Sequence, residues 1–337
     1  MNTILLILTG GTIGSIIKKN VVNVSKNNYL KSYLLKKKKF NFKIVQPINI
    51  LSENATPNNW NKIIKCIEEN WNNKFSGIII THGTDTLSYT SSALSQYFYN
   101  FYKPVILVSS DKPLKDKSSS GKLNFTSAID FIEKIKLPGT YVPYKNPKDN
   151  FISFFIGSRI KQINSYYNNL NSGFGDPFCI LKNKKFSFIK KNNPSILSIK
   201  KNGKKNSLNM GFEFSNKILL IHAYPGLNYN SFNLIKIKPK VILHTLYHSG
   251  TSSLQFTDFI KKNKNKKISF FVAPISNKKK NTYPSLKILM KLKAKCLKGI
   301  TVETAFAKLS LAFQSFKNEK DRNNFLSNNN FFEKILF

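Results

Sequence analysis

Acidic residues are scarce in this chain. Asp and Glu total 16 against 54 Lys and Arg in 337 residues, a formal net charge of +38. Arginine is scarcer still, present only as Arg159 and Arg322. Arginine is the residue suited to bidentate contacts with phosphates and bases, so its near absence argues against a dedicated nucleic-acid reader. The lysines are strewn among asparagines along the whole chain, as in "KKNNPSILSIKKNGKKNS". The expectation is a solvated lysine-rich surface, no specific nucleic-acid partner, and at most a weak, salt-sensitive affinity for RNA. Cysteine is sparse too. Cys66, Cys179 and Cys296 are odd in number, far apart and outside metal-ligand spacing, which excludes a disulfide framework and suits a reducing cytoplasm. The four histidines, His82, His222, His244 and His248, form no metal motif. Long apolar runs are also missing. The N-terminal "TILLILTGGTIGSII" is broken by three glycines and lacks both a preceding basic segment and a cleavage-like site. It reads as a buried strand plus loop, not as a signal peptide or membrane span.

What remains is a globular composition, 41% hydrophobic and 13% aromatic, in a chain long enough for one large core or two domains. Apolar runs at 3–8, 44–51, 77–81 and 104–109 predict strands. Between them, "TPNNWNKIIKCIEENW" predicts a helix capped by Thr56 with Pro57 at its first position. Trp60, Ile63, Ile64, Ile67 and Trp71 fall on one face of it. A second helix follows Asp85, with Ala93, Leu94, Tyr97, Phe98 and Phe101 at helical spacing. Residues 183–212, rich in Lys, Asn, Ser and Pro, read as a linker or solvated edge. Beyond them, strands are predicted at 217–222, 240–246 and 267–273, and helices near 229–236, 252–263 and 284–294. A last helix begins after Thr301, with Glu303 in its first turn, where the helix dipole favours negative charge. Its buried stripe is Val302, Ala305, Phe306, Leu309, Phe313 and Phe316. This alternation predicts two α/β domains: a larger N-terminal one with a mainly parallel sheet (1–190), a linker (191–212) and a smaller C-terminal one (213–337).

In open parallel sheets, ligands bind beyond the carboxyl ends of the strands. Two segments there change from apolar strand to small polar loop: "LTGGTIG" (8–14) and "HGTDT" (82–86). Gly10 and Gly11 let backbone approach a ligand closely, and Thr12 supplies a hydroxyl. The first loop has neither the lysine of a phosphate loop nor the dinucleotide fingerprint. Thr84 and Asp85 stand at a helix N-terminus, which stabilises a carboxylate or a developing oxyanion. Taken singly, each loop is most simply a turn or a cap. Two hydroxyls and a carboxylate at adjacent strand ends instead fit a nucleophile, a second hydroxyl and an orienting group.

"TGGTIG", "HGTDTLSYTSSAL" and "TVETAFAKL" (301–309) resemble L-asparaginases of the bacterial cytoplasmic type I. The likeness in order and spacing is strongest over residues 1–115 and 217–315. The resemblance implies hydrolysis of L-asparagine by a threonine nucleophile, with no cofactor. Thr12 would attack the side-chain amide. Thr84 and Asp85 would assist proton transfer and hold the substrate's amino group. Backbone N–H groups near Gly11 and Thr84 would receive the oxyanion. "LSENATP" (51–57) matches a further substrate loop of the family, in which Ser52 would hold the substrate carboxylate and Glu53 the α-ammonium group. The resemblance also implies a cytoplasmic homo-oligomer, a dimer or tetramer. Loops of the second domain, among them "LYHSGTSS" (246–253), would then serve a neighbouring subunit's pocket or an effector site.

The chain departs from the family in three places. The mobile loop should carry a tyrosine about ten residues after "TGGTIG"; Val21 or Val22 stands there, and the nearest tyrosine is Tyr29. In "GSRIKQ" (157–162), Gln162 occupies the place of the catalytic lysine and Lys161 lies one residue away. On an extended segment, neighbouring side chains point to opposite faces, so a bulge would be needed to exchange them. In "SSSGKLN" (118–124), Ser120 replaces an aspartate. Two alternatives follow. One is a weakened homologue that binds an amino acid. The other is an amidotransferase subunit feeding ammonia to a tRNA-bound substrate, which usually bears an N-terminal barrel; "TGGTIG" at residue 9 is expected to leave no room for one.

Overall fold

Ile4, Leu5, Leu6, Ile7 and Leu8 are all inaccessible to solvent, as a strand covered on both faces requires. They belong to the first of two main sheets in the computed structural model, which describes residues 3–18, 21–24, 41–203, 208, 210–276 and 282–334. The strands of the N-terminal part are β1 (Thr3–Ile7), β2 (Ser15–Lys18), β3 (Val21–Val24), β4 (Asn41–Val45), β5 (Phe75–Thr81), β6 (Pro104–Val108), β7 (Gly139–Tyr144), β8 (Ile152–Ile156), β9 (Cys179–Lys182) and β10 (Lys185–Phe188). Eight of them form one sheet in the order β10-β9-β8-β7-β6-β5-β1-β4, while β2 and β3 make a separate hairpin. From β4 to β7 the pairing is parallel; from β7 to β10 it is antiparallel. The register places Leu6 between Ile44 and Ile79, which aligns the carboxyl ends of β4, β1 and β5.

The helices of this part are α1 (Pro57–Asn70), α2 (Leu87–Tyr97), α3 (Gly121–Asp130) and α4 (Ile196–Asn202). The C-terminal part adds α5 (Leu234–Ile237), α6 (Leu254–Asn263), α7 (Pro284–Lys291), α8 (Val302–Ser315) and α9 (Glu319–Ser327) around a parallel sheet, β11 (Ile218–Ile221), β12 (Val241–Thr245), β13 (Ser269–Ile275) and β14 (Lys295–Lys298). Among the described residues, no helix is long and apolar enough to cross a membrane.

The fold is α/β, with a large, mainly parallel first sheet, as expected from the alternation. The strand expected at 44–51 instead lies at Asn41–Val45; Pro47 removes a ladder donor, and beyond it only the bridge between Ile50 and Gly10 remains. The antiparallel strands β8 to β10 and helix α3 carry no clear sequence signal. The stretch 183–212 carries β10 and α4, with Ile199 of α4 fully buried.

Helix α8 explains how the two sheets are joined. Of its predicted apolar stripe only Ala305 and Leu309 are fully buried; Val302, Phe306, Phe313 and Phe316 are half-buried, while Glu303, Thr304, Lys308 and Ser310 are buried because the helix is covered on two sides. The helix packs along α2 on one side and against β11, β12 and β13 on the other. Helix α2 is likewise buried nearly all round, with small side chains at Ser88, Thr90, Ser91, Ser92 and Ser95. Ser92 Oγ and Thr304 Oγ1 lie 2.9 Å apart across this contact. Small hydroxyl residues let two helices approach while each polar group keeps a partner. Trp60 of α1 closes one end, with its indole N–H on Thr90 Oγ1 at 3.0 Å and its ring edge-on to Phe214 and Phe306.

Candidate active site

The loops that follow β1, β4 and β5 converge at the carboxyl edge of the first sheet. Gly10 forms a bridge with Ile50, and Gly11 N–H donates to Ile50 O at 2.9 Å. On the other side, Thr9 N–H donates to Thr81 Oγ1 (3.2 Å), and Thr9 Oγ1 donates to Thr81 O (2.5 Å). These bonds bring the backbones of the first and second loops into contact. A Cβ built on Gly11 would lie 2.3 Å from Gly83 N, and Gly11 has φ +71°. A Cβ on Gly83 would lie 2.4 Å from Ser52 Oγ. Glycine is required at both positions because no side chain fits between the three loops.

Thr12, Ser52, Thr84 and Asp85 therefore belong to one neighbourhood although they span more than seventy positions. Ser52 is buried, and its Oγ donates to Asp85 Oδ2 at 3.3 Å. Thr86 Oγ1 donates to Ser52 O at 2.8 Å, tying the second loop to the third. Thr12 and Thr84 are half-buried, whereas Asp85 and Glu53 are exposed. Gly11 N–H is already committed to Ile50 O, so Gly11 itself is not the free donor that the first loop was expected to offer. The N–H of Thr12 opens the short 3-10 turn Thr12–Gly14 and has no acceptor within that turn.

His82 has no role that the sequence alone assigns. It is buried, and Nδ1 lies 2.8 Å from Gly83 O. A carbonyl only accepts, so Nδ1 carries the proton. Burial pushes the imidazole below its usual range, outweighing the Gly83 bond and the Asp85 charge. A neutral His82 thus fixes the peptide on which Thr84 stands.

The choice between Lys161 and Gln162 is decided by direction. Lys161 Cγ lies toward Gly173, 3.4 Å from a Cβ built there. Gln162 Nε2 donates to Asp85 O at 2.5 Å, and Ser88 Oγ donates to Gln162 Oε1 at 3.4 Å. Lys161 N–H donates to Asn171 O at 3.1 Å beside the isolated bridge of Ile160 with Ser172. A glutamine therefore stands beside the second loop. Ser120, where the resemblance expects an aspartate, donates from N and Oγ to Asp111 Oδ1 at 2.9 and 2.6 Å. Asp111 thus supplies a carboxylate near the end of β6. Tyr29 lies outside the described residues. The loop 246–253 follows β12 in the second sheet.

The protein is thus of the α/β class, with glycine-rich and hydroxyl-bearing loops gathered at the carboxyl edge of a parallel sheet. Residues 3–170 match the family model "Asparaginase, N-terminal". The whole chain superposes on the thermostable L-asparaginase from Thermococcus kodakarensis (TM-score 0.78, 21% identity, 99% of this chain and 100% of that one). It superposes equally on L-asparaginase I from Vibrio cholerae (TM-score 0.80, 21% identity, 99% of each). In sequence, it is 29% identical over 181 residues to a glutamyl-tRNA(Gln) amidotransferase subunit from Methanosphaera stadtmanae. That match covers 53% of this chain and 40% of the relative's length. The chain belongs to the asparaginase family through residues 3–170, and the fold shared with the solved L-asparaginases covers 99% of it.

Proposed function

We propose that this chain is an amidohydrolase that converts L-asparagine to L-aspartate and ammonia through Thr12. The observation that supports the reading is the close approach of Gly11 to Gly83, which joins the backbone before Thr12 to the backbone before Thr84 and Asp85. In the proposed reaction, Thr12 Oγ attacks the side-chain amide carbon. The Thr12 hydroxyl proton passes to the amide nitrogen, the C–N bond breaks and ammonia leaves; water then hydrolyses the ester to aspartate and free threonine. Ser52 and Glu53 would bind the substrate's carboxylate and ammonium groups, and Asp85, already bonded to Ser52, would orient them. N–H groups of the first and second loops would receive the oxyanion. The reading includes a cytoplasmic homodimer or homotetramer and two domains divided near 191–212.

Gln162 favours a second reading, a homologue that binds the amino acid and turns it over slowly. A glutamine cannot accept and return a proton as a neutral lysine can, and such help is worth roughly two to four orders of magnitude. Ammonia release from asparagine by the purified chain and by Thr12→Ala tests both readings. Release that is abolished in Thr12→Ala supports the hydrolase. Heat stabilisation by aspartate without ammonia release supports the slow binder. Brisk release that survives Thr12→Ala removes Thr12 as the nucleophile.

A further inference from the structure

Gln162 owes its place partly to a residue 141 positions away. Glu303 stands in the first turn of α8, is only 6% exposed, and accepts the Gln162 N–H through Oε1 at 2.8 Å. The next residue, Thr304, donates from Oγ1 to Ser158 O at 2.6 Å. Two consecutive residues of one helical turn thus hold both ends of the Ser158–Gln162 stretch. That turn is itself fixed, because Thr301 Oγ1 accepts the Thr304 N–H at 3.2 Å. Past Gln162, residues 164–168 are exposed, with a turn at 165–167.

A nearly buried carboxylate is costly unless hydrogen-bonded, and an apolar residue would pack at this position more cheaply. The helix N-terminus lowers the cost but does not require a side chain that reaches Gln162. What the carboxylate adds is a fixed backbone at a position whose side chain touches both Asp85 and Ser88. We propose that Glu303 is a positioning residue: it holds residue 162 against the second loop, so that a helix packed on the second sheet sets geometry in the site of the first. The effect on turnover rests on the amidohydrolase reading; the effect on backbone position does not.

The test uses the full chain with Glu303→Ala and Glu303→Gln, the latter keeping an acceptor oxygen. Three quantities are measured: kcat and KM for ammonia release, amide hydrogen exchange of the peptide spanning residue 162, and the urea midpoint. Glu303→Ala is expected to lower kcat about ten- to a hundredfold, the scale of a misplacement near 1 Å, with KM little changed. It is also expected to speed exchange around Gln162, and Glu303→Gln to restore both. The inference is overturned if Glu303→Ala leaves kcat and exchange at native values, or if Glu303→Gln fails to restore exchange at an unchanged urea midpoint. If the native chain releases no ammonia, the amidohydrolase reading falls and exchange alone judges the positioning. Fast exchange in the alanine variant and slow exchange in the glutamine variant then support it; equal exchange in both overturns it.

Discussion

Gln162 Nε2 donates to the backbone oxygen of Asp85 at 2.5 Å. The two residues come from separate loops, and the bond sets an uncharged amide against the second loop. Gln162→Lys would place an ammonium group within reach of the same oxygen and of Ser88. If the hydrolase reading holds, ammonia release should rise in this variant by about a hundredfold or more. An unchanged kcat would mean that residue 162 takes no part in proton transfer.

Gly11 tolerates no side chain. Its φ of +71° and the 2.3 Å approach of Gly83 N to a built Cβ act together. Gly11→Ala should destabilise the protein by about 2–4 kcal/mol, combining backbone strain with overpacking. Urea unfolding at constant m-value measures this. A change below about 0.5 kcal/mol would show that the loops separate without cost.

Lys308 and Glu333 form a fully buried ion pair beneath the C-terminal segment. Glu333 also accepts the N–H groups of Asn330 and Phe331, at 3.1 and 2.8 Å. Burial alone would raise its pKa, but Lys308 and these hydrogen bonds outweigh burial and hold it below the usual carboxylate range. Its stabilising contribution is therefore full above the unfolded-chain value near ~4.3 and is lost as pH falls through the lower folded value. Lys308→Met should cost about 3–5 kcal/mol, since it strands a buried carboxylate. Lys308→Met combined with Glu333→Leu should recover most of that loss in urea melts and flatten the acid limb of the stability profile.

His244 of β12 shares a hydrogen bond with Tyr229 OH at 2.7 Å and stacks on Phe256 at 3.7 Å between ring centroids. Burial, reinforced by nearby His222 against a bond at Thr245, lowers its pKa to about 4. The unfolded chain takes up this proton near pH ~6.5, and the folded one does so only near 4, so stability falls as pH drops through that window. His244→Phe should remove its share of the slope between those limits and leave the share of His82, which burial also pushes down. An unaltered pH profile of the urea midpoint would assign the slope to other groups.

Much of the first sheet and both hydroxyl-bearing loops were legible because their signals are local. Thr56 with Pro57, and Thr301 before α8, start helices where capping chemistry places them: Thr301 Oγ1 accepts the Thr304 N–H, and Pro57 is the first residue of α1. The strands β8, β9 and β10 were not legible. They are four or five residues long, and the alternation in β9 and β10 is too short to stand out from the surrounding lysine-rich sequence. Glu303 was legible as a helix-dipole partner but not as the acceptor of Gln162 N–H, because that contact joins elements from the two sheets.

Residue order and chemistry were enough to identify an α/β chain with hydroxyl-bearing loops at strand ends, since periodicity, caps and glycine placement act over a few residues. Which loops touch, which of Lys161 and Gln162 faces the second loop, and what Glu303 holds depended on packing. Those outcomes follow from the register of parallel strands and from helices α2 and α8 meeting between two sheets, contacts that no short window of sequence contains.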